Sequence, residues 1–282
     1  ASDVAQRDSF WLRADPVHLR LGRDRMTLIP GVGCSISRAE AEGLVAALNR
    51  HFGAQHRFVA VKAEQWCMQT ASDSAFESTS PLESAGQPVD ATLLRGPGAR
   101  WNALLNEIQM VLHEHPLNAE RELRGDPAIN SVWLWGAGHI PATAHGPWHS
   151  VTADDALAAG LARLAGVRQR ELPAGAQEWL ERAPDEGRHL VVLDMLRAVL
   201  ALSDVETQGE RVAALEARWF TPLLEALRRG RIGMVTIHVP DSGQACETMR
   251  SDLRRFWRRP RPLGAWCPPP VAAVRSGTMT DR

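Results

Sequence analysis

No tyrosine occurs in this 282-residue chain, so no phenolate can serve it as base or nucleophile. No apolar run approaches the roughly 18 residues of a membrane-spanning helix. Residues 1–9 lack the basic, apolar and small-residue order of a secretory signal. The cytoplasm is therefore the expected location, with no membrane partner. CxxC spacing is missing too: Cys34, Cys67, Cys246 and Cys267 are scattered, which writes neither a zinc site nor a disulfide framework and fits reduced thiols. Nor is there an excess of either charge. A formal net charge of -1 argues against bulk affinity for nucleic acid or membranes and leaves room only for a local basic patch. What is present is 44% hydrophobic residues and 10 tryptophans, the composition of a globular protein whose indoles pack inside.

The chain is organised around residues 127–141, an apolar run that holds Trp133 and Trp135 and is halted by Gly136, Gly138 and Pro141. This predicts a buried strand opening into a backbone loop, the first place to look for a ligand. Upstream, residues 10–21 hold a short apolar run, Pro16 and the alternation of residues 17–21, Gly22-Arg23-Asp24 signals a turn and Met26 resumes an apolar run, which predicts a β-hairpin. Ser37 with Glu40 forms a capping box, and Ala41, Leu44, Val45, Leu48 and Phe52 carry a helix over 38–52. Residues 56–64 alternate as a strand, and residues 70–97, rich in Ser, Asp, Gly and Pro, read as a long loop or linker. Trp101, Leu104, Leu105, Ile108, Val111 and Leu112 make a helical face that Pro116 stops.

A strand-helix unit begins at Trp148, with Thr152 and Asp155 as a capping pair and Gly166 as its end. Residues 189–193 predict a short strand, the stripe from Val212 to Leu227 a long helix, and residues 232–239 a further strand. Strands alternating with helices from Ile129 onwards predict a mostly parallel sheet with helices on both faces. The first 70 or so residues read as a separate α+β piece.

Asn130, Gly136, Gly138 and His139 form the leading ligand-binding constellation. At the carboxyl end of a parallel strand, glycine-loop N–H groups can approach a phosphate or carboxylate while the Asn amide orients it. Turn geometry and core filling are the competing roles, and a lone GxG pattern leaves both open. His113 and His115 lie two apart at a helix end, where such residues face apart, so complementing the helix dipole is the simpler role. Arg13, Asp15, His18 and Arg20 read as a solvated, charged strand face. Asp194 ends a strand at a position that often carries chemistry. Arg250, Arg254, Arg255, Arg258, Arg259 and Arg261 surround Phe256 and Trp257, either as a grip on a phosphate-bearing partner or as an exposed helix face. The last 15 or so residues read as disordered.

Phe10-Trp11-Leu12-Arg13-Ala14-Asp15-Pro16-Val17-His18-Leu19, together with residues 129–138, resembles the bacterial RpfE-type regulatory proteins. These are similar in turn to archaeal-type cofactor-independent phosphoglycerate mutases of the alkaline phosphatase superfamily. The likeness runs from about Phe10 to Val239, with residues 150–166 and the helix over 216–227 as later landmarks. It implies an α/β fold with an alkaline-phosphatase-like, mostly parallel sheet flanked by helices and a smaller inserted α+β domain. Here residues 1–70 would be the inserted-type domain, 71–98 a loop or linker, 99–249 the α/β core and 250–282 a basic segment and tail.

The resemblance also implies, for active mutases, two divalent metals and a nucleophilic serine. The family's Asp and His ligands after the strand at Val191 would fall near Leu200 and Asp204, and a later Asp-His couple at His238-Val239. Neither pair supplies both ligands. The family's first metal Asp and nucleophile would precede Phe10, so the expectation is a chain that begins inside the fold or has lost that portion. The implied protein is regulatory or binding, non-catalytic or weakly active. It takes no cofactor, keeps Asn130, Gly136, Gly138 and His139 as a ligand-facing edge, and meets a protein or a small phosphorylated ligand. The competing expectation is a mutase or phosphomonoesterase using manganese or zinc through rearranged ligands, with Asp194, Asp204, His238 and Asp241 as candidates.

Overall fold

A short apolar run followed by alternating side chains draws Phe10–Leu21 into one long strand, β1, which returns as β2, Met26–Pro30, in the antiparallel hairpin that the sequence predicts. The computed structural model describes residues 9–22, 26–71, 78–85, 88–89, 99–182, 186–202, 205–240 and 243–254. Helix α1, Arg38–Phe52, begins at Ser37, whose hydroxyl accepts from the Glu40 N–H while the Glu40 carboxylate accepts from the Ser37 N–H. This is the capping box read from the spacing. Strands β3, His56–Lys62, and β4, Gln65–Thr70, form a second hairpin, and β4 pairs with β1 along Phe10 to Arg13. A two-residue strand, β5, Pro88–Val89, lies within the expected linker and pairs with β2.

Helix α2, Ala99–His113, sets Trp101, Leu104, Leu105, Ile108 and Leu112 into one core with α1 and the sheet. Pro116 does more than stop it. It opens helix α3, Pro116–Leu123, where a missing N–H leaves nothing unpaired, and His115 caps that helix by accepting from the Leu117 N–H.

The Trp-rich strand overturns the expected architecture. As β6, Ser131–His139, it pairs antiparallel with β1, from Phe10 opposite His139 to Val17 opposite Ser131. It therefore completes the N-terminal sheet and does not open a parallel core, so the first 70 residues are not a separate piece. Side-chain alternation explains the pairing. Phe10, Leu12 and Ala14 join Val132 and Leu134 in the core beneath α1 and α2, while Val17 and Leu28 pack with Trp133 on the other face. Trp66, fully buried in the main core with its indole N–H on the Ala63 carbonyl, contributes about 3 kcal/mol by burial.

A parallel sheet does follow, at smaller scale. Strand β7, Ser150–Thr152, lies between β8, Arg168–Arg170, and β9, His189–Val191. Helix α4, Ala156–Leu164, connects β7 to β8 and starts at Asp155, which accepts from the Ala158 N–H. Helix α5, Ala176–Arg182, precedes β9, and α6, Met195–Leu202, follows it. The long helical stripe is divided: α7, Val205–Leu215, passes through one π-helical turn, Glu216–Phe220, into α8, Thr221–Arg229. The last predicted strand, β10, Met234–Val239, pairs with β11, Gln244–Met249, as a separate antiparallel hairpin and does not extend the parallel sheet.

The fold is thus mixed α/β with a parallel sheet and helices. Its contacts divide it into two units, Ala1–Leu172 with Pro184–Val212, and Pro173–Ala183 with Ala213–Arg282. This division differs from the expected boundaries at 70, 98 and 249 because β6 belongs with β1. Arg255, Arg258, Arg259, Arg261, Phe256, Trp257 and the tail lie outside the described residues. Among the described residues, no helix is long and apolar enough to cross a membrane.

Candidate functional site

The four expected ligand-binding residues take part in the sheet. Asn130 Oδ1 accepts from the Leu19 N–H at 2.8 Å and its Nδ2 donates to the Leu19 carbonyl at 2.9 Å, so a side-chain amide adds a rung to the β1 ladder. Gly136, at φ 61, lies where the register shifts and the pair Gly136-Ala137 opposes Leu12 alone. That is a β-bulge with glycine in the left-handed region. Gly138 faces Trp11 in the register, and the exposed His139 ring meets Phe10 edge-on at 5.3 Å. The expected loop at the carboxyl end of a parallel strand is therefore replaced by an antiparallel strand with a bulge.

Beside the bulge is a buried ionic node. Asp15, 4% exposed, accepts from Arg13 Nε at 3.1 Å and Nη2 at 2.7 Å, from the Trp66 backbone N–H at 3.0 Å, and from Trp135 Nε1 at 2.7 Å. Arg13 also lies 5.1 Å from the Trp135 ring. Burial pushes the Asp15 carboxyl upward, against the opposing pull of the Arg13 charge and the hydrogen bonds. The expected solvated face is corrected here. Asp15 is buried and His18 Nδ1 donates to the Ala128 carbonyl at 2.8 Å, leaving Arg20 as the exposed member. Both Asp15 oxygens are engaged in joining β1, β4 and β6.

Arg121 escaped the sequence reading. It is fully buried in α3, with Nε donating to the Pro127 carbonyl at 3.0 Å, Nη2 donating to the Cys34 carbonyl, and Nη1 3.0 Å from Glu40 Oε1. Arg124 reaches the same Glu40 oxygen at 2.6 Å. Burial acts to raise the Glu40 carboxyl, but hydrogen bonds from Ser37 and Arg124 and the Arg121 charge outweigh it and bring it down to about 2. Asn118, also buried, accepts from the Ile129 N–H and donates to the Leu112 and Ile129 carbonyls. No local pattern separates Arg121 from its exposed neighbours Glu120 and Glu122; the signal lies in tertiary contacts alone.

Ligands of α/β sheets gather at the carboxyl ends of parallel strands. Here β7 runs into Asp154, whose Oδ1 accepts from the Leu172 N–H at 3.0 Å, and into Asp155, the α4 cap. Strand β9 runs towards the half-buried Asp194, whose carbonyl accepts from the Arg197 N–H at 3.0 Å. His238 is exposed on β10, in the second unit, while Asp194 belongs to the first. Asp204 and Asp241 lie outside the described residues. His113 ends α2 and His115 caps α3, so the two serve different helices, and His115 works at a helix start where a dipole-complementing cation was expected at an end. Among the described residues, no group of three or more His, Cys, Asp or Glu could hold a metal ion.

A cleft of about 360 Å³ opens between the end of α1, the start of β3 and α2. Phe52 and Leu104 give it apolar walls, and Gln55, His56, Arg100 and Glu107 give it polar ones. Burial, then the Arg100 charge, lowers the His56 pKa, with Glu107 opposing. Such a cleft can meet a small molecule's anionic group through Arg100 and its apolar part through Phe52 and Leu104.

No family model matches the chain. Over 66 residues it is 36% identical to the 2,3-bisphosphoglycerate-independent phosphoglycerate mutase of Methanosarcina mazei, a stretch covering 23% of this chain and 17% of that protein. Over 127 residues it is 29% identical to the mutase of the same description from Methanosarcina acetivorans, covering 43% of this chain and 32% of the relative. The matched stretches thus span a third or less of these relatives' length. A solved protein from Pyrococcus horikoshii aligns with 82% of this chain and 58% of its own, at 15% identity and a TM-score of 0.46.

Proposed function

We propose that this chain is a binding or regulatory protein of the RpfE type, built on a phosphoglycerate-mutase-like scaffold and working without phosphoryl transfer. It acts in the cytoplasm, takes no cofactor, and meets a partner protein or a small phosphorylated ligand. The exposed end of β6, at Gly136 and His139, is the proposed partner-facing edge.

One observation carries this reading. The two stretches that bear the RpfE-type resemblance are paired with each other along β1 and β6, and their polar groups Arg13, Asp15 and Asn130 are committed to internal hydrogen bonds. Residues used in this way preserve a scaffold and do not act as reacting groups. Incubating the full chain with manganese or zinc and 3-phosphoglycerate, or with an aryl phosphate, tests it. The expected result is no 2-phosphoglycerate and no released phosphate. Metal-dependent turnover that a chelator abolishes would overturn the reading in favour of the mutase or phosphomonoesterase.

A further inference from the structure

Two imidazoles stand where the parallel sheet begins. Strands β7 and β9 start side by side at Ser150 and His189, and Ser150 Oγ lies 2.8 Å from His189 Nδ1. One residue earlier the His149 N–H donates to the Arg188 carbonyl at 2.7 Å, and the Arg188 N–H donates to His149 Nδ1 at 3.1 Å. The second bond carries a chemical condition. His149 Nδ1 must hold a lone pair, as it does in the neutral ring protonated on Nε2 and does not in the imidazolium. The ring lies directly against Gly187, at φ 118, where an added Cβ would come within 2.6 Å of it. Glycine at 187 therefore allows both the turn and this ring position.

The two rings are 6.4 Å apart between centroids. Arg168 and Arg170 on β8 and Arg188, next to His189 in the chain, are the charged neighbours on the packed strands, and Arg168 sits opposite Ser150 in the register. Glu186 supplies a backbone carbonyl to His189. Protonating both rings would place two more positive charges among these arginines and remove the acceptor from the Arg188 N–H.

We propose that this junction is a pH-sensitive latch, in which neutral imidazoles at His149 and His189 hold β9 to β7 and protonated ones release the strand starts. The electrostatics act in that direction. Burial first, then the charges of His149 and Arg170, hold His189 below the ordinary imidazole value against the pull of the Glu186 carbonyl. The folded chain then binds this proton less readily than the unfolded one. The His189 contribution is therefore full above the ordinary imidazole value near 6.5 and is lost as pH falls below it.

Site-resolved amide hydrogen exchange on the full chain at pH 7.5 and 5.5, normalised to the intrinsic rate at each pH, tests the proposal. Protection of residues 149–152 and 188–192 should fall about fivefold more than that of the β1–β6 sheet, the change that loss of one hydrogen bond makes. In His149→Asn, an amide oxygen takes the place of Nδ1 without titrating, and the acid response should shrink. An equal response in both sheets, or an undiminished response in His149→Asn, overturns the latch. Should the variant misfold, nitrogen NMR titration of the native imidazoles decides: ring protonation must track the loss of protection, and ring charges that change at a different pH overturn it.

Discussion

Two sheets of the first unit, the antiparallel one around β1 and the parallel one around β7, reach very different interiors. The antiparallel sheet is covered by α1 and α2, and Leu44, Leu48, Phe58, Trp66 and Ile108 are all within 2% of full burial. Beside β7 the buried apolar residues are Val151, Ala153 and Ala162, and α6, apolar at every position but Arg197, buries none. A parallel sheet gains its stability from helices on both faces. Apolar composition without that cover does not make a core. The first sheet carries the larger buried core of the unit, and the second a small cluster around Val151.

That contrast can be broken by paired deletions. Ile108→Ala in the covered core should cost about 3–4 kcal/mol, whereas Leu200→Ala on α6, where Leu200 is 55% exposed, should stay within about 0.5 kcal/mol. Urea unfolding of the two variants measures both, and equal losses would erase the distinction. Arg121→Met should cost about 3 kcal/mol in the same experiment, because it leaves the Cys34 and Pro127 carbonyls without their donor and Glu40 without its buried partner. Acid offers a smaller test than the core deletions. Glu40 is held at about 2 against an ordinary 4.5, so its contribution is present above pH 4.5 and lost as pH falls to about 2. After solvent screening this amounts to about 2 kcal/mol. Glu40→Gln should flatten the acid limb of stability over that window, and an unchanged limb would show that the Arg121 and Arg124 pairs contribute little.

Local elements were legible because their signals are local. The helix over 38–52 rests on a capping box and a 3.6-residue stripe, and the helix under Ile108 on the same periodicity. Strand pairing was not legible. An apolar run ended by glycines reads alike as a buried parallel strand or as an antiparallel strand with a bulge, and only its pairing with β1 separates them. The role of Asn130 depends on Leu19, 111 positions away, and that of Arg121 on Cys34, 87 positions away. Helix α6 went unrecognised because a nearly continuous apolar run has no polar face to mark its period. At the strand ends, sequence singled out Asp194, and it read Thr152 with Asp155 as a capping pair, of which Asp155 is the cap while Thr152 stays in β7.

The partnership of β1 with β6 also has a consequence in time. The indole that meets Asp15 lies 120 positions later in the chain, and at about 5–20 residues per second its synthesis lags by roughly 6–24 s. Through that interval a nascent β1 carries an unsatisfied edge, the kind that recruits foreign strands. Any delay in translation between Asp15 and Trp135 lengthens that exposure.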